Sequence, residues 1–195
     1  MMITKILNNF LKKKRNKKIN YQISDSHDRY FQLLEKGKGI KKAELLDIPD
    51  PDLEDIVMGW MWDMFNEDWF NQFEIISSLP KPCQNVYSCR TVSDEINNGG
   101  LTQLFFNSTG QFADMSIDGF DALGSNTLSQ VMKDAVVLFK EHRAALEEYN
   151  DGTIESFFAS YDEEIFNDLD DTFTEEYDSV DYTAYIKEHI SDFGN

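Results

Sequence analysis

The sequence predicts an all-α fold: a single compact domain of about seven to nine helices, preceded by a mobile basic N-terminal leader. Three observations carry this. Apolar residues recur at helical spacing through most of the chain beyond residue 50. No segment sustains the alternation of a strand, and no repeat period occurs. With 195 residues, 41% hydrophobic and 13% aromatic, the chain is long and apolar enough to enclose one real core.

The leader is set at residues 1–42, which hold 12 Lys/Arg and 3 Asp/Glu, a balance of +9. Residues 43–195 hold 6 Lys/Arg and 33 Asp/Glu, a balance of −27, and the whole chain carries −18. In "MMITKILNNFLKKKRNKK" the apolar part comes first and Asn8 and Asn9 interrupt it, the reverse of a secretory signal. Ile3, Ile6, Leu7, Phe10 and Leu11 keep helical spacing. The leader is therefore expected to be partly disordered or a short amphipathic helix, able to touch a membrane surface or to dock on an acidic body.

The acidic helical domain is set at 43–195. "DIPDPD" at 47–52 marks a helix start that Asp52 is placed to cap. Leu53, Ile56, Val57, Trp60, Met61, Met64 and Phe65 then trace one helix face. "EDWFNQFEIISS" predicts a second helix, stopped by "LPKP" at 79–82. Val86, Cys89, Val92 and Ile96 predict a third that ends at Asn97 and Asn98. Phe112 to Leu123 reads as helical, with Gly124 as terminator. Leu128, Val131, Met132, Ala135, Leu138, Phe139, Ala145, Leu146 and Tyr149 predict one long helix. Asn150-Asp151-Gly152 predicts a turn. Beyond it apolar and acidic residues alternate at helical spacing, and Tyr182, Tyr185, Ile186, Ile190 and Phe193 close the chain as an amphipathic helix.

The residues for most catalytic schemes are absent or misplaced. His27, His142 and His189 lie far apart and none belongs to HExxH. Cys83 and Cys89 fit neither a zinc knuckle nor a disulfide framework. "DLDDTFTEEYDS" at 168–179 puts Phe173 and Ser179 where a calcium loop needs Gly and Glu. No phosphate loop, nucleophile elbow or dinucleotide fingerprint occurs. No catalytic residue, metal site or cofactor is expected. No apolar run approaches the roughly 18 residues of a membrane span, so no stable membrane insertion is expected either.

The stretch "NNGGLTQLFFNSTG", 97–110, breaks the helical pattern twice. Its physical reading is a joint: Gly99 or Gly100 takes a left-handed conformation, Leu101 and Phe105 pin the next helix, and Asn98, Gln103 and Asn107 satisfy backbone groups at the breaks. A recognition loop is the other reading. From Glu95 to Gly110 the pattern resembles the signature of a bacterial DNA-mimic family of small acidic proteins: Glu95, Asn98, Gly99, Gly100, Gln103, Phe105, Phe106, Asn107, Ser108 and Gly110. Tyr87 upstream and Ala122-Leu123-Gly124 downstream also fit. Leu101 and Leu104 stand where that family usually has aromatics and keep the apolar character. The resemblance covers about 53–150. It implies an all-helical cytoplasmic protein, often a dimer, without known enzymatic activity.

A second set of residues bears on recognition. Asp162, Glu163, Glu164, Asp168, Asp170, Asp171, Glu175, Glu176, Asp178 and Asp181 sit at spacings that a helix turns into carboxylate rows about 5–6 Å apart. DNA-binding proteins offer Lys and Arg to a comparable row of phosphates. The leading expectation is a non-enzymatic acidic interaction protein, a double-stranded-DNA mimic that binds a basic DNA-binding protein and blocks its DNA contact. The alternatives are an immunity-type protein that neutralises a basic toxin domain, and a metal-dependent enzyme. The expected partner is a basic protein, a transcription regulator or toxin. No direct nucleic-acid binding by the acidic domain is expected.

Overall fold

The computed structural model of the chain describes residues 27–66, 68–149, 159–160 and 164–195. Among them there is no strand, and the helices pack round one core, so the all-α fold stands. Residues 27–37 form α1, followed by α2 (Lys42–Leu45), α3 (Asp50–Asp63) and α4 (Gln72–Ser77). The long α5 (Lys81–Phe106) is broken at Gly99–Gly100. α6 (Ala113–Ala122), α7 (Asn126–Glu147), α8 (Asn167–Glu176) and α9 (Tyr182–Glu188) complete the set.

α3 starts after Pro49, with Pro51 in its first turn and Asp50 and Asp52 where carboxylates favour the helix dipole. Asp52 does not cap it, because the helix begins two residues earlier; its carboxylate pairs with Arg29 of α1 instead. Leu53, Ile56, Val57 and Met61 of this helix are 1% exposed or less. α5 supplies Cys83, Val86, Cys89 and Val92 to the same core. α6 packs between α5 and α7, α8 lies against α5 and α7, and α9 lies against α3. Gly124 ends the α6 segment at φ +82°, as its position in the sequence predicts.

Residues 1–26 and the Asn150-Asp151-Gly152 turn lie outside the described residues. Residues 27–45, however, are folded onto the domain, although charge assigns most of them to the leader. Their charges point outward while Leu33, Leu34, Ile40 and Leu45 are buried. α1 crosses α3 where both carry glycine: a Cβ on Gly37 would stand 2.1 Å from the Ile56 carbonyl oxygen, and one on Gly59 2.1 Å from that of Leu34. The C-terminus closes over the same region. Asn195 N–H donates to the Ile40 carbonyl at 2.9 Å, its carbonyl accepts from Lys42 N–H at 3.2 Å, and its side chain accepts from the Trp60 indole at 3.1 Å. The chain's final helix also differs from expectation: α9 stops at Glu188, and a 3₁₀ turn, Ile190–Asp192, carries Phe193 into the core.

Candidate functional site

Two regions draw on the same side chain, the carboxylate, for different ends. The first is the joint in α5. The helix runs intact to Asn98, then Gly99 leaves the helical region (φ −163°, ψ 27°) and Gly100 takes φ +73°, ψ −179°. That is an extended backbone of positive φ, essentially confined to glycine, rather than the left-handed helical turn the sequence suggests. Helix resumes at Leu101 with an N-terminus whose glycines have no side chain to cap it. Asp170 of α8 supplies the cap: its Oδ1 accepts from Leu101 N–H at 2.7 Å.

Glu95 braces the far side of the joint. Gln103 Nε2 and Asn107 Nδ2 donate to its Oε1 at 2.6 and 2.7 Å, and Thr109 Oγ1 donates to its Oε2 at 2.8 Å. Gln103 and Asn107 thus brace a half-buried carboxylate, a stronger acceptor than a neutral carbonyl. A Cβ on Gly99 would fall 2.1 Å from Gln103 Oε1, and one on Gly110 2.8 Å from the Leu104 carbonyl oxygen. Leu101 and Leu104 are fully buried. Phe105 stacks on Phe139 at 4.3 Å between ring centroids and tilts against Phe166, and Phe106 packs against the core. Asn98 is exposed.

The second region is the acidic helix. From 144 to 186 every charged side chain is a carboxylate. Asp168, Asp171 and Glu175 are exposed at i, i+3 and i+7 on α8, one face of the helix, and Asp178 continues the row past its end. Phe173 fills the opposite face and is fully buried. None of the four forms an ion pair with a Lys, Arg or His among the described residues.

The remaining acidic candidates part from this row. Asp170 turns inward, and its partial burial raises its pKa above the ordinary carboxylate value against the Leu101 hydrogen bond, which lowers it. It does not face water as its neighbours do. Asp181 caps α9, accepting from Ala184 N–H at 2.8 Å. Glu176 is half-buried, and Glu164 is exposed with φ +52°. Asp162 and Glu163 lie outside the described residues.

A third constellation had no sequence signature. Arg90 Nε lies 3.2 Å from Glu54 Oε1 and 3.5 Å from Asp94 Oδ2, with Asp55 close by. Burial raises the pKa of Glu54, Asp55 and Asp94, and Arg90 opposes it in each case. One guanidinium thus serves three carboxylates. The two cysteines are buried free thiols, and burial pushes Cys83 up to about 12, so neither is poised as a thiolate. Among the described residues no group of three or more His, Cys, Asp or Glu is placed to hold a metal ion, and no helix is long and apolar enough to cross a membrane.

A braced joint beneath an acidic helical face marks an all-helical protein with an anionic surface. The family follows from comparison: the chain belongs to the DMP19-like protein family, whose model matches residues 77–189. The match starts at the last residue of α4 and runs through α8 and α9, so it includes most of the C-terminal third that lies beyond the 53–150 resemblance. The Asp170–Leu101 contact gives a physical reason, since α8 completes the joint. No curated protein and no solved structure shows a significant match.

Proposed function

We propose that this chain is a non-enzymatic interaction protein of the DNA-mimic kind, which offers α8 to a basic DNA-binding protein and so blocks its DNA contact. The observation that carries this reading is the exposed row Asp168, Asp171, Glu175 and Asp178 on a helix whose other face is anchored by Phe173. Solubility requires charge, but not charge of one sign in register on an anchored element. A fixed anionic row attracts Lys and Arg over several ångströms and speeds encounter. Membership of the DMP19-like family supports it. The −27 balance of residues 43–195 supports a basic protein, not nucleic acid, as partner.

The test uses the full chain, immobilised, to capture partners from native lysate. A partner that duplex DNA displaces is then taken to kinetics. Asp168→Asn, Asp171→Asn, Glu175→Gln and Asp178→Asn together should leave the circular dichroism unchanged and slow association about tenfold or more at low salt, with a smaller effect on dissociation. A folded variant that associates at the wild-type rate removes α8 from the function.

A further inference from the structure

A cleft of about 380 Å³ opens beside the joint, lined by Tyr30, Trp62, Gln72, Tyr87, Thr91, Asp94, Glu95, Asn98 and Thr109. It lies outside the acidic row of α8. Its lining joins three aromatic rings to two carboxylates, an amide-rich rim and no cation. Such a lining suits one chemistry: a flat cation with several N–H donors.

Each element of the lining is held. Three donors fix Glu95, leaving about one of a carboxylate's four acceptor positions open. Tyr87 Oη donates to Gln72 Oε1 at 3.3 Å. Asp94 is the carboxylate free to respond. Its side chain is 49% exposed, and its tie to Arg90 is long, at 3.5 Å, and shared with Glu54. Even with Arg29 acting on Asp55, Arg90 leaves the cluster of Glu54, Asp55 and Asp94 net negative, and Asp94 brings that charge to the cleft. Burial raises the pKa of all three carboxylates, and Arg90 opposes that rise in each.

We infer that this cleft is a receptor for an arginine side chain of the partner protein, with the guanidinium between Asp94 and Glu95 and its plane against the aromatic lining. Arginine fits better than lysine because its planar group is weakly hydrated, stacks on aromatic rings and presents five donors. A protein is the source because the large negative balance of the body draws basic macromolecules. This inference rests on the basic-partner reading above and gives it a second contact point: α8 attracts at a distance and the cleft reads a residue.

The test uses the full chain and the capped tripeptide Ac-Gly-Arg-Gly-amide, with the citrulline tripeptide as neutral isostere and free arginine as a third arm. Saturable shifts of the Trp62 indole and of the Thr91 and Asn98 amides in ¹⁵N spectra are expected with the arginine peptide and not with citrulline. Asp94→Asn should weaken binding about tenfold. Asn98→Arg, at an exposed position, should remove binding with an unchanged melting temperature, by placing the protein's own guanidinium in the cleft. Equal binding of citrulline, acceptance of free arginine with exclusion of the capped peptide, or wild-type affinity in Asn98→Arg would each overturn the proposal. The variant with the α8 row neutralised should bind the tripeptide as wild type does. Loss of tripeptide binding with α8-dependent association intact therefore rejects the cleft alone, and the opposite outcome rejects the α8 reading alone.

Discussion

Glu95 and Asp171 are the same chemistry in opposite circumstances. Glu95 accepts three hydrogen bonds from its own chain; Asp171, exposed on α8, accepts none from the described residues. The joint uses carboxylates to hold backbone in a shape that helix propensity resists. Asp168, Asp171 and Glu175 leave their carboxylates to solvent, where they add little to stability, while Asp178 meets the Tyr177 hydroxyl. In a chain this rich in Asp and Glu, charge density does not reveal function. What separates the two roles is whether the neighbours answer the charge.

Among substitutions, the largest loss of stability is expected at Glu95. Glu95→Ala leaves three donors without their acceptor and should lower the unfolding free energy by about 2–4 kcal/mol, read by urea denaturation. Next comes Gly100→Val, at about 1–3 kcal/mol, since φ +73° with extended ψ strains any β-branched residue and its Cβ meets Asp170. Gly99→Val should lose less, about 1 kcal/mol, because its φ of −163° is ordinary and only the Gln103 side chain must move. Equal melting temperatures for Gly100→Val and wild type would show that the joint is not strained.

Within α8 the contrast sharpens between adjacent residues. Asp170→Ala should lose about 1–2 kcal/mol, the loss of a helix cap. Asp168→Asn and Asp171→Asn should stay within about 0.5 kcal/mol of wild type. A penalty at Asp171 to match that at Asp170 would mean that the row is structural and unsuited to binding. The smallest effect is that of pH. Glu54, Asp55, Asp94 and Asp170 have folded pKa values raised above 4.5 for Glu and 3.8 for Asp, so the folded state holds their protons more tightly than the unfolded state does. Stability should therefore rise modestly as pH falls from neutrality toward the ordinary carboxylate range, and Asp170→Asn should flatten that slope. A melting temperature that falls steadily on acidification would contradict the shifts.

Much of the fold was legible because burial imposes a period. Leu53 to Phe65 and Leu128 to Leu146 each trace a stripe that admits only a helix, and α3 and α7 formed there. The break at Gly99–Gly100 was legible because two glycines end a helix wherever they stand. Its geometry was not, since a positive φ can accompany either a coiled or an extended ψ. Asp170 was hidden by distance, 69 residues from Leu101, and by the many carboxylates around it. The packing of residues 27–42 was not legible from charge, because charge describes surfaces, while Gly37, Leu33 and Leu34 record what α1 touches. The cleft drew on five separate segments, and no local pattern joins Tyr30 to Thr109.

The hydrogen bond from Leu101 to Asp170 has one further consequence, which concerns phase. Successive residues of a helix are rotated by about 100°. A slip of α8 by one residue would swing Asp168, Asp171 and Glu175 about a quarter-turn round the axis and carry part of the row toward α5 and α7. Asp170 is the pin that forbids the slip, because only at one rotation does its carboxylate reach the Leu101 N–H. The broken helix thus works as an index mark for the acidic one: whatever α8 presents to a partner, its angle of presentation is set by two glycines on another helix.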